Sequence, residues 1–376
     1  GNVYVIGQFK SNSMSFAGST ISNNGSSGAS NNYNMFVVKY AADGTEVWGK
    51  SVTGTGIIVT GGMGKVTTDS NGNVYVSGSF SDGTLVFNGQ TITNSTINSD
   101  MFVLKFAADG TEVWAKRHTL CLGGGIATDS NNNIYVTGQI KNNHSIMFNG
   151  VTLNAGGSNH ALHSNGLVLK YAADGAEVWG KVMTMDTSGY IHGKDITIDS
   201  NDNIYLTGIC KGQLTFNGVD QTSSSESIVV LKYGTDASEV WGKIAGSSGN
   251  DLVRSITTDS NGNVYVTGKF VANDMSFAGN NLNYVSGEDI FVLKSELPEL
   301  EVNEAYWFEL EGMQVINLEG ENLGHVQEVN NFGANDVLEV KSLNKLKKNL
   351  LIPFIKNRVI ISIDKSENLI LVDWQE

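Results

Sequence analysis

The stretch Asp259-Ser-Asn-Gly-Asn-Val-Tyr-Val-Thr-Gly268 decides the fold, because close copies of it recur along the chain. The full copies are Asp69–Gly78, Asp129–Gly138 and Asp199–Gly208, and a shorter one, Gly1-Asn-Val-Tyr-Val-Ile-Gly7, opens the chain. The leading aspartates are separated by 60, 70 and 60 residues. A regular spacing of this size predicts repeated supersecondary units that stack on one another.

Each copy predicts two strands joined by a tight turn. Val74, Tyr75 and Val76 favour a strand, and Asn71-Gly72 before them favours a two-residue type I′ hairpin turn, because Gly and Asn accept positive φ. The alternative is a calcium loop, since Asp-x-Asn-x-Asn resembles the start of an EF-hand loop. That loop needs Gly at its sixth position and Glu at its twelfth, and the sixth residue here is Val74. Turn chemistry is therefore favoured, and no metal is expected.

Further elements follow the organising strand in every repeat. A Phe-x-Gly segment comes first, at Phe16, Phe87, Phe148, Phe216 and Phe277. An apolar strand then runs to a lysine, at Lys39, Lys105, Lys170, Lys232 and Lys294. An Asp-Gly turn and a Glu-Val-Trp strand complete four of the repeats, with Trp48, Trp114, Trp179 and Trp241. Four short strands without helical periodicity predict an all-β fold of propeller blades, with the Phe-x-Gly segment as an insertion.

The repeats resemble the β-propeller repeats of the bacterial SBBP family across residues 1–294. This resemblance implies a propeller and no particular chemistry, so the propeller's partner stays unknown. The first repeat lacks its opening strand, and the last stops at Lys294 without its closing strand. Two alternatives follow: five blades close imperfectly, or further blades precede Gly1. The absence of an initial Met and of signal-peptide features leads us to expect a truncated or processed piece.

Three sets of side chains suggest binding sites, and each set also has a purely structural interpretation. The tryptophans could stack on a ligand, but an aromatic residue at a fixed place in each blade favours packing between blades. The lysines could form an anion-binding ring, but solvated strand ends are favoured. His160 and His163 could hold a metal, but no third ligand accompanies them. No catalytic set recurs, so we expect no enzyme and no cofactor; a catalytic group confined to one loop is the alternative.

Composition places a domain boundary near the C-terminus. Both prolines, Pro298 and Pro353, fall in the last 79 of the 376 residues, and residues 298–376 carry 14 acidic and 7 basic side chains. We therefore expect a propeller at 1–294, a linker at 295–308 and a second domain at 309–376. A chain of net charge −14 disfavours direct nucleic-acid binding. No apolar run is long enough for a membrane span. Cys121 and Cys210 have no metal spacing and are expected to be ordinary apolar residues.

The last segment predicts six short strands, which fit a small barrel. Its motifs resemble the C-terminal PRC-barrel half of the ribosome maturation factor RimM family: Glu296–Glu301, Tyr306-Trp307, Leu323-Gly324, Phe332–Leu338, Leu351–Ile355 and Val372–Trp374. The resemblance implies a non-enzymatic, cytoplasmic module that assists small ribosomal subunit maturation and 16S rRNA processing by binding a protein of the subunit head. The family's N-terminal half is a different β-barrel, and a propeller stands in its place here.

Three segments of this tail are candidate partner-binding residues: Tyr306 and Trp307; Gly333, Ala334, Asn335 and Asp336; and Pro353 and Phe354. Each has a structural alternative, namely packing on the barrel wall, a tight turn, and an edge strand containing proline. Two other functions stay open. The first is an exported or surface propeller scaffold with an incidental barrel fusion, and the second is a propeller enzyme, which requires clustered ionisable groups at the channel mouth.

Overall fold

The structure, a computed structural model, describes most of the chain. Described are residues 1–23, 34–55, 57–59, 64–156, 164–185, 189–260, 262–270, 275–277, 280–282, 289–295, 310, 312–331, 336–342, 349–355, 358–364 and 367–374. The elements formed there are 33 β-strands, so the all-β prediction is confirmed. In this part of the chain no helix is long and apolar enough to cross a membrane. Contacts divide the chain into two compact units, Gly1–Glu296 and Leu297–Glu376.

The first unit consists of five antiparallel blades, one for each repeat. Blade 1 contains β1 (Val3–Phe9), β2 (Ser13–Phe16), β3 (Ser19–Ser22), β4 (Asn34–Tyr40) and β5 (Glu46–Val52). Blade 2 contains β6 (Ile57–Val59), β7 (Lys65–Thr68), β8 (Val74–Ser81), β9 (Gly83–Phe87), β10 (Gln90–Asn94), β11 (Asp100–Phe106) and β12 (Glu112–His118). Blade 3 contains β13 (Cys121–Thr128), β14 (Ile134–Lys141), β15 (Ser145–Phe148), β16 (Val151–Asn154), β17 (Ser164–Tyr171) and β18 (Glu177–Met183). Blade 4 contains β19 (Tyr190–Ile198), β20 (Ile204–Phe216), β21 (Val219–Tyr233) and β22 (Glu239–Ala245). Blade 5 contains β23 (Leu252–Thr258), β24 (Val264–Phe270), β25 (Met275–Phe277), β26 (Asn280–Leu282) and β27 (Asp289–Ser295).

Blade 3 shows the complete arrangement, a sheet of order β13-β14-β17-β18. Its Phe-x-Gly segment forms the tip of a separate hairpin, β15–β16, as the insertion prediction requires. Asn149 and Gly150 make the tip with φ angles of 47° and 74°. The Glu177 carboxylate accepts a hydrogen bond from the Asn149 backbone N–H at 2.6 Å. The glutamate of Glu-Val-Trp therefore fastens the inserted hairpin to its blade, a role that sequence reasoning did not assign.

The hydrophobic core lies between successive blades. At each described junction, the motif tyrosine of one blade belongs to the same buried cluster as the two aliphatic residues that flank the motif tyrosine of the next blade. The sets are Tyr4 with Val74 and Val76, Tyr75 with Ile134 and Val136, Tyr135 with Ile204 and Leu206, and Tyr205 with Val264 and Val266. Successive side chains of a strand point to opposite faces, so the tyrosine of each motif packs at the junction with the next blade and its two aliphatic neighbours pack at the junction with the preceding blade.

The prediction of a type I′ turn within the motif was wrong. The Gly72 N–H donates to the Asp69 carbonyl at 3.0 Å, so Ser70 and Asn71, rather than Asn71 and Gly72, are the central residues. The Asp69 N–H donates in turn to the Asn73 carbonyl at 3.1 Å. Gly72 has a φ of 77°. A type I turn followed by one left-handed residue fits this pattern and closes a three-residue hairpin loop.

The second unit is one six-stranded sheet of order β31-β30-β29-β28-β33-β32. Its strands are β28 (Gln314–Asn317), β29 (Asn322–Asn331), β30 (Asp336–Lys341), β31 (Leu350–Pro353), β32 (Ile360–Asp364) and β33 (Leu369–Val372). Strands β28 and β33 pair in parallel, and the other neighbours are antiparallel. One cluster of buried side chains, including Leu310, Leu338, Ile352 and Ile370, forms its core.

Candidate functional site

The motif aspartates are held by their own loops. Asp129 Oδ1 accepts from the backbone N–H groups of Asn131 and Asn133, at 3.0 and 2.8 Å. Its Oδ2 accepts from the Asn133 side-chain amide and the Tyr135 hydroxyl, at 2.8 and 3.0 Å. Burial acts to raise the pKa of Asp129, but the hydrogen bonds from Asn133 and Tyr135 outweigh it and lower the pKa. Asp69 and Asp199 make the same four bonds. Because both carboxylate oxygens are engaged locally, the geometry supports turn chemistry over a calcium ligand.

Two other sequence features bear on metals and thiols. The described residues contain no group of three or more His, Cys, Asp or Glu side chains placed to hold a metal. The His160–His163 pair lies outside the described residues. Cys121 and Cys210 are buried, and burial raises the pKa of each thiol to about 12, which suits their predicted role as small apolar side chains.

The tryptophans lie between blades, as predicted. Trp48 is 8% exposed, and its Nε1–H donates to the Ala108 carbonyl of blade 2 at 3.1 Å. Its ring centroid lies 6.3 Å from that of Phe106, also in blade 2. A side chain at Gly110 would place its Cβ 2.9 Å from the Trp48 ring. The glycine of the Asp-Gly turn therefore makes room for the tryptophan of the preceding blade.

Four of the repeated lysines, namely Lys39, Lys105, Lys170 and Lys232, are neither solvated strand ends nor a free cationic ring, so both readings are corrected for them. The side chain of Lys294 lies outside the described part of the chain. Lys39 and Lys105 are half-buried and donate to carbonyls of the next blade, those of Ala108 and Ala173, at 3.0 and 2.7 Å. Lys170 lies 3.5 Å from an Asp129 carboxylate oxygen. The ammonium groups also lie over motif tyrosines, at 4.8 to 5.5 Å from the ring centroids. The motif tyrosine and the turn carbonyls thus hold the lysines at the blade junctions.

A charged group lies where the innermost strands converge. Lys65, Gly125, Asp195 and Ser255 each stand four residues before a motif aspartate, and we call them the inner cluster. The buried Asp195 Oδ2 accepts from Lys65 Nζ at 3.3 Å, from the Ser255 hydroxyl at 2.7 Å and from the Ile256 N–H at 3.2 Å. A Cβ on Gly125 would lie 2.5 Å from Asp195 Oδ1. One carboxylate therefore joins blades 2, 4 and 5 and needs glycine in blade 3.

The sequence did not lead us to predict the inner cluster, although the variation at this repeat position could have indicated it. When the repeats are aligned on their aspartates, this position differs in every full copy, as Lys65, Gly125, Asp195 and Ser255. The cluster's ionisable groups are engaged with each other, which suits a brace between blades.

A buried histidine links blades 2 and 3. His118 Nε2 lies 2.5 Å from the Tyr171 hydroxyl and packs beside Phe148. Burial lowers the pKa of His118 to about 4, although the nearby Glu177 charge acts in the opposite direction. This histidine is therefore neutral in the folded protein at physiological pH.

An open cleft of about 410 Å³ lies on blade 4. Its lining consists of Gln221–Ser225, Ser227, Ile244, Gly246 and Ser247. Several of its hydroxyls are engaged, as in the Ser223–Ser227 pair at 2.5 Å, the Ser225 bond to the Ser247 carbonyl at 2.6 Å and the Ser247 bond to the Asp251 carboxylate at 2.7 Å. The residues that line the cleft carry no ionisable side chain, and the buried Asp251 carboxylate accepts a hydrogen bond from the lining residue Ser247.

In the second unit, the structure brings two of the three predicted binding segments together. Asp336 opens β30 and Pro353 closes β31, and Pro353 lies opposite Val337 in the register of these strands. Phe354 follows and is half-buried against the sheet's core. Because β31 ends the strand order, the prediction of an edge strand containing proline is confirmed.

The other predicted binding residues lie outside the described residues. They are Tyr306, Trp307, Gly333, Ala334 and Asn335. Their contribution to a binding surface stays a prediction.

Two family models match parts of the chain. The RimM PRC barrel domain matches residues 307–376, and the beta-propeller repeat called SBBP matches residues 240–269. The ribosome maturation factor RimM of Hahella chejuensis is 44% identical over 92 residues, which cover 23% of this chain and 52% of that protein. Its counterpart in Legionella pneumophila strain Corby is 43% identical over 86 residues, with 23% and 48% covered. This chain therefore spans about half the length of the curated relatives it matches.

Solved structures show more distant likenesses. A RimM-type 16S ribosomal RNA processing protein from Pseudomonas aeruginosa is 24% identical with a TM-score of 0.18, covering 32% of this chain and 76% of that one. A protein of unknown function from Bacteroides caccae is 11% identical with a TM-score of 0.35, covering 89% and 94%. The assignment rests on the family models and the curated relatives: the C-terminal part of the chain resembles the PRC-barrel domain of the RimM family, and the N-terminal part resembles SBBP-type β-propeller repeats.

Proposed function

We propose that the second unit is a ribosome-maturation module that binds a protein of the small-subunit head in the cytoplasm, and that the chain is not an enzyme. The observation that carries this proposal is the match of residues 307–376 to the RimM PRC barrel domain, together with 43–44% identity to RimM proteins in this part. The inner cluster is consistent with the non-catalytic reading, because its charges brace the blades.

A surface on the edge of the second sheet suits this role. Leu351 lies opposite Glu339, which lies opposite Glu328, and Pro353 lies opposite Val337. Residues directly opposite on antiparallel strands share a face. We call these five residues the β31 patch. Leu351 is 55% exposed, so the patch presents apolar side chains to solvent beside two carboxylates.

The other face of the same strands is the core. Leu338 and Ile352, which alternate with the patch residues along β30 and β31, are fully buried. The β31 patch is therefore available to a partner without disturbing the fold. It also lies beside the predicted segments at Asp336 and Pro353.

Charge complementarity supports a basic partner. Residues 298–376 carry 14 acidic and 7 basic side chains. Proteins of the small-subunit head are generally basic, so a net negative module would associate faster at low ionic strength and lose affinity as salt is added. An apolar centre with a charged rim is also the usual anatomy of a protein interface.

The test is binding of purified small ribosomal subunits to the full 376-residue chain at low salt, measured by co-sedimentation. Leu351→Asp should weaken binding by about tenfold or more, because it places a charge at the centre of the apolar surface. Leu318→Asp is the matched control: Leu318 is 53% exposed and lies in the turn before β29, at the opposite end of that strand from Asp336. A Tyr306→Ala, Trp307→Ala double variant tests the remaining predicted segment.

The outcomes separate the claims. No binding by the folded wild-type chain at low salt would refute the ribosomal proposal. Equal losses in the Leu351 and Leu318 variants would keep the module and reject the β31 patch as its surface. Unchanged binding by the double variant would remove Tyr306 and Trp307 from the site.

A further inference from the structure

The innermost strands of blades 4 and 5 each carry a cationic side chain at a β-bulge. The pairing of β19 with β20 shifts register around Lys194, and the pairing of β23 with β24 shifts register around Arg254. Both residues stand five positions before a motif aspartate, where blades 2 and 3 have Gly64 and Gly124. A bulge turns a side chain out of the regular alternation of its strand, and bulges are frequent beside active sites.

The two cations lie near each other. The residues that follow them, Asp195 and Ser255, are joined by the hydrogen bond from the Ser255 hydroxyl at 2.7 Å. Burial lowers the pKa of Lys194, and the Arg254 charge lowers it further, while the nearby Glu226 charge acts in the opposite direction. Two like charges are therefore held within electrostatic range of each other and of one carboxylate.

Neither cation is neutralised within the part of the chain that the structure describes. Lys194 is half-buried and Arg254 is exposed, and neither makes an ion pair or a side-chain hydrogen bond with a described residue. Lys105, by contrast, donates to the Ala173 carbonyl of the next blade. Partial burial of an uncompensated charge costs stability, and such groups are concentrated at binding and catalytic sites.

Glu226 adds a hydrogen-bond acceptor to this group. Its Oε1 accepts from the hydroxyl of Tyr190, whose ring stacks on that of His192 with 4.8 Å between centroids. Its Oε2 has no donor among the described residues. We call Lys194, Arg254, Glu226 and Tyr190 the bulge site. With two positive groups and one negative group, the bulge site has a formal charge of +1, which a single carboxylate would balance.

We propose that the bulge site binds a ligand that carries one carboxylate beside hydroxyl groups, the chemical class of the sugar acids and hydroxy acids. The planar guanidinium of Arg254 matches a carboxylate in two-pronged fashion, and the Lys194 ammonium adds a point charge. The Glu226 Oε2 atom accepts from a ligand hydroxyl. This site belongs to the propeller unit and is separate from the ribosomal role proposed for the second unit.

The test measures binding of sodium glucuronate to the full 376-residue chain by isothermal titration calorimetry at fixed ionic strength. Glucose is the control that keeps the hydroxyl groups without the charge, and sodium sulfate is the control that has charge without hydroxyl groups. Glucuronate should bind at least about tenfold more tightly than either control, because it alone offers both the carboxylate and the hydroxyl donors.

Variants test the residues of the site. Arg254→Gln and Lys194→Met each remove one positive charge and should weaken glucuronate binding by at least about tenfold. Lys243→Gln is the matched control and should leave the affinity unchanged. Lys243 is an exposed lysine of the same blade, on β22 at the opposite edge of the sheet from β19. Lys194→Met should also keep or raise the urea midpoint of unfolding, because it removes a partly buried charge.

Several results would overturn the proposal. They are an absence of glucuronate binding, equal affinities for glucuronate and either control, and equal losses in the Lys194, Arg254 and Lys243 variants. A Lys194→Met chain with a lower unfolding midpoint would also overturn it, because the fold itself would then compensate the ammonium charge. None of these results bears on binding of ribosomal subunits by the second unit, so the two proposals fail separately.

Discussion

Trp48 and Trp114 offer a matched pair for testing how the blade junctions are stabilised. Each indole ring lies 6.3 Å from an aromatic ring of the next blade, Phe106 and Tyr171 respectively. They differ in the partner of the indole nitrogen, and Trp48 is also the more buried of the two. Trp48 Nε1–H donates to the Ala108 carbonyl, whereas Trp114 Nε1 is buried and finds no hydrogen-bond acceptor among the described residues. Replacing each with phenylalanine removes that atom and a comparable amount of ring.

The expected effects differ for this reason. Trp48→Phe loses a hydrogen bond worth about 1 kcal/mol net. The Ala108 carbonyl keeps its bond from Lys39 and is not left unsatisfied. Trp114→Phe alters a partly buried ring, and it removes a buried donor whose unsatisfied state costs about 1–3 kcal/mol. We therefore expect Trp48→Phe to lower the free energy of unfolding by about 2–4 kcal/mol more than Trp114→Phe does.

Urea unfolding followed by circular dichroism measures the difference, since the method does not depend on tryptophan fluorescence. The comparison uses unfolding midpoints at equal slopes, which holds when both variants unfold the same amount of surface. Equal destabilisation by the two substitutions, or a larger loss for Trp114→Phe, would refute the reasoning. It would show that the Trp114 indole N–H is satisfied, for example by an ordered water.

Three further predictions concern the turns, the pH response and the inserted hairpins. Because both oxygens of Asp129 are engaged by its own loop, a calcium chelator should leave the melting temperature unchanged; a calcium-dependent rise would contradict the turn assignment. The folded-state pKa of His118 is lowered to about 4, so the unfolded chain takes up the proton first as pH falls. The stability that His118 contributes is thus fully present above about pH 6.5 and is lost toward pH 4, by on the order of 3 kcal/mol. Denaturation midpoints at a series of pH values should show this loss, and a His118→Gln chain should show a smaller one. Finally, Glu177→Ala releases the Asn149 N–H and should cost about 1 kcal/mol locally, seen as faster amide exchange at the hairpin tip; unchanged exchange would mean that the hairpin is held by other contacts.

Much of the propeller unit followed from the sequence because the repeat supplies four or five independent copies of each signal. The strands and the inserted hairpin recur in the same order after each motif aspartate, and each repeat tryptophan stands five residues after the aspartate of the turn before it. The turn type could not be predicted in this way, because Asn-Gly permits more than one hairpin geometry, and the side-chain bonds of Asp69 stabilise the type I form.

The contacts between blades were the hardest to predict. The acceptors of Lys39 and Lys105 are main-chain carbonyls of the following blade, which carry no sequence signal of their own. In the second unit, the strands were visible, but the β31 patch was not. Its composition depends on the register that places Leu351 opposite Glu339, since a shift of one residue would exchange the two faces of the strand.

The inner cluster gives the blades an order. Lys65, Asp195 and Ser255 are alternative residues at one repeat position, and they interact because they differ. A chain of four identical blades would place four like charges, or four glycines, at the same point, and would lose the pairing that offsets the cost of burying Asp195. Exchanging two blades would likewise separate the carboxylate from the glycine that makes room for it. The propeller thus repeats in its backbone but not in the side chains of the inner cluster. Changing the order of the blades would therefore cost the interactions that stabilise the buried Asp195 carboxylate.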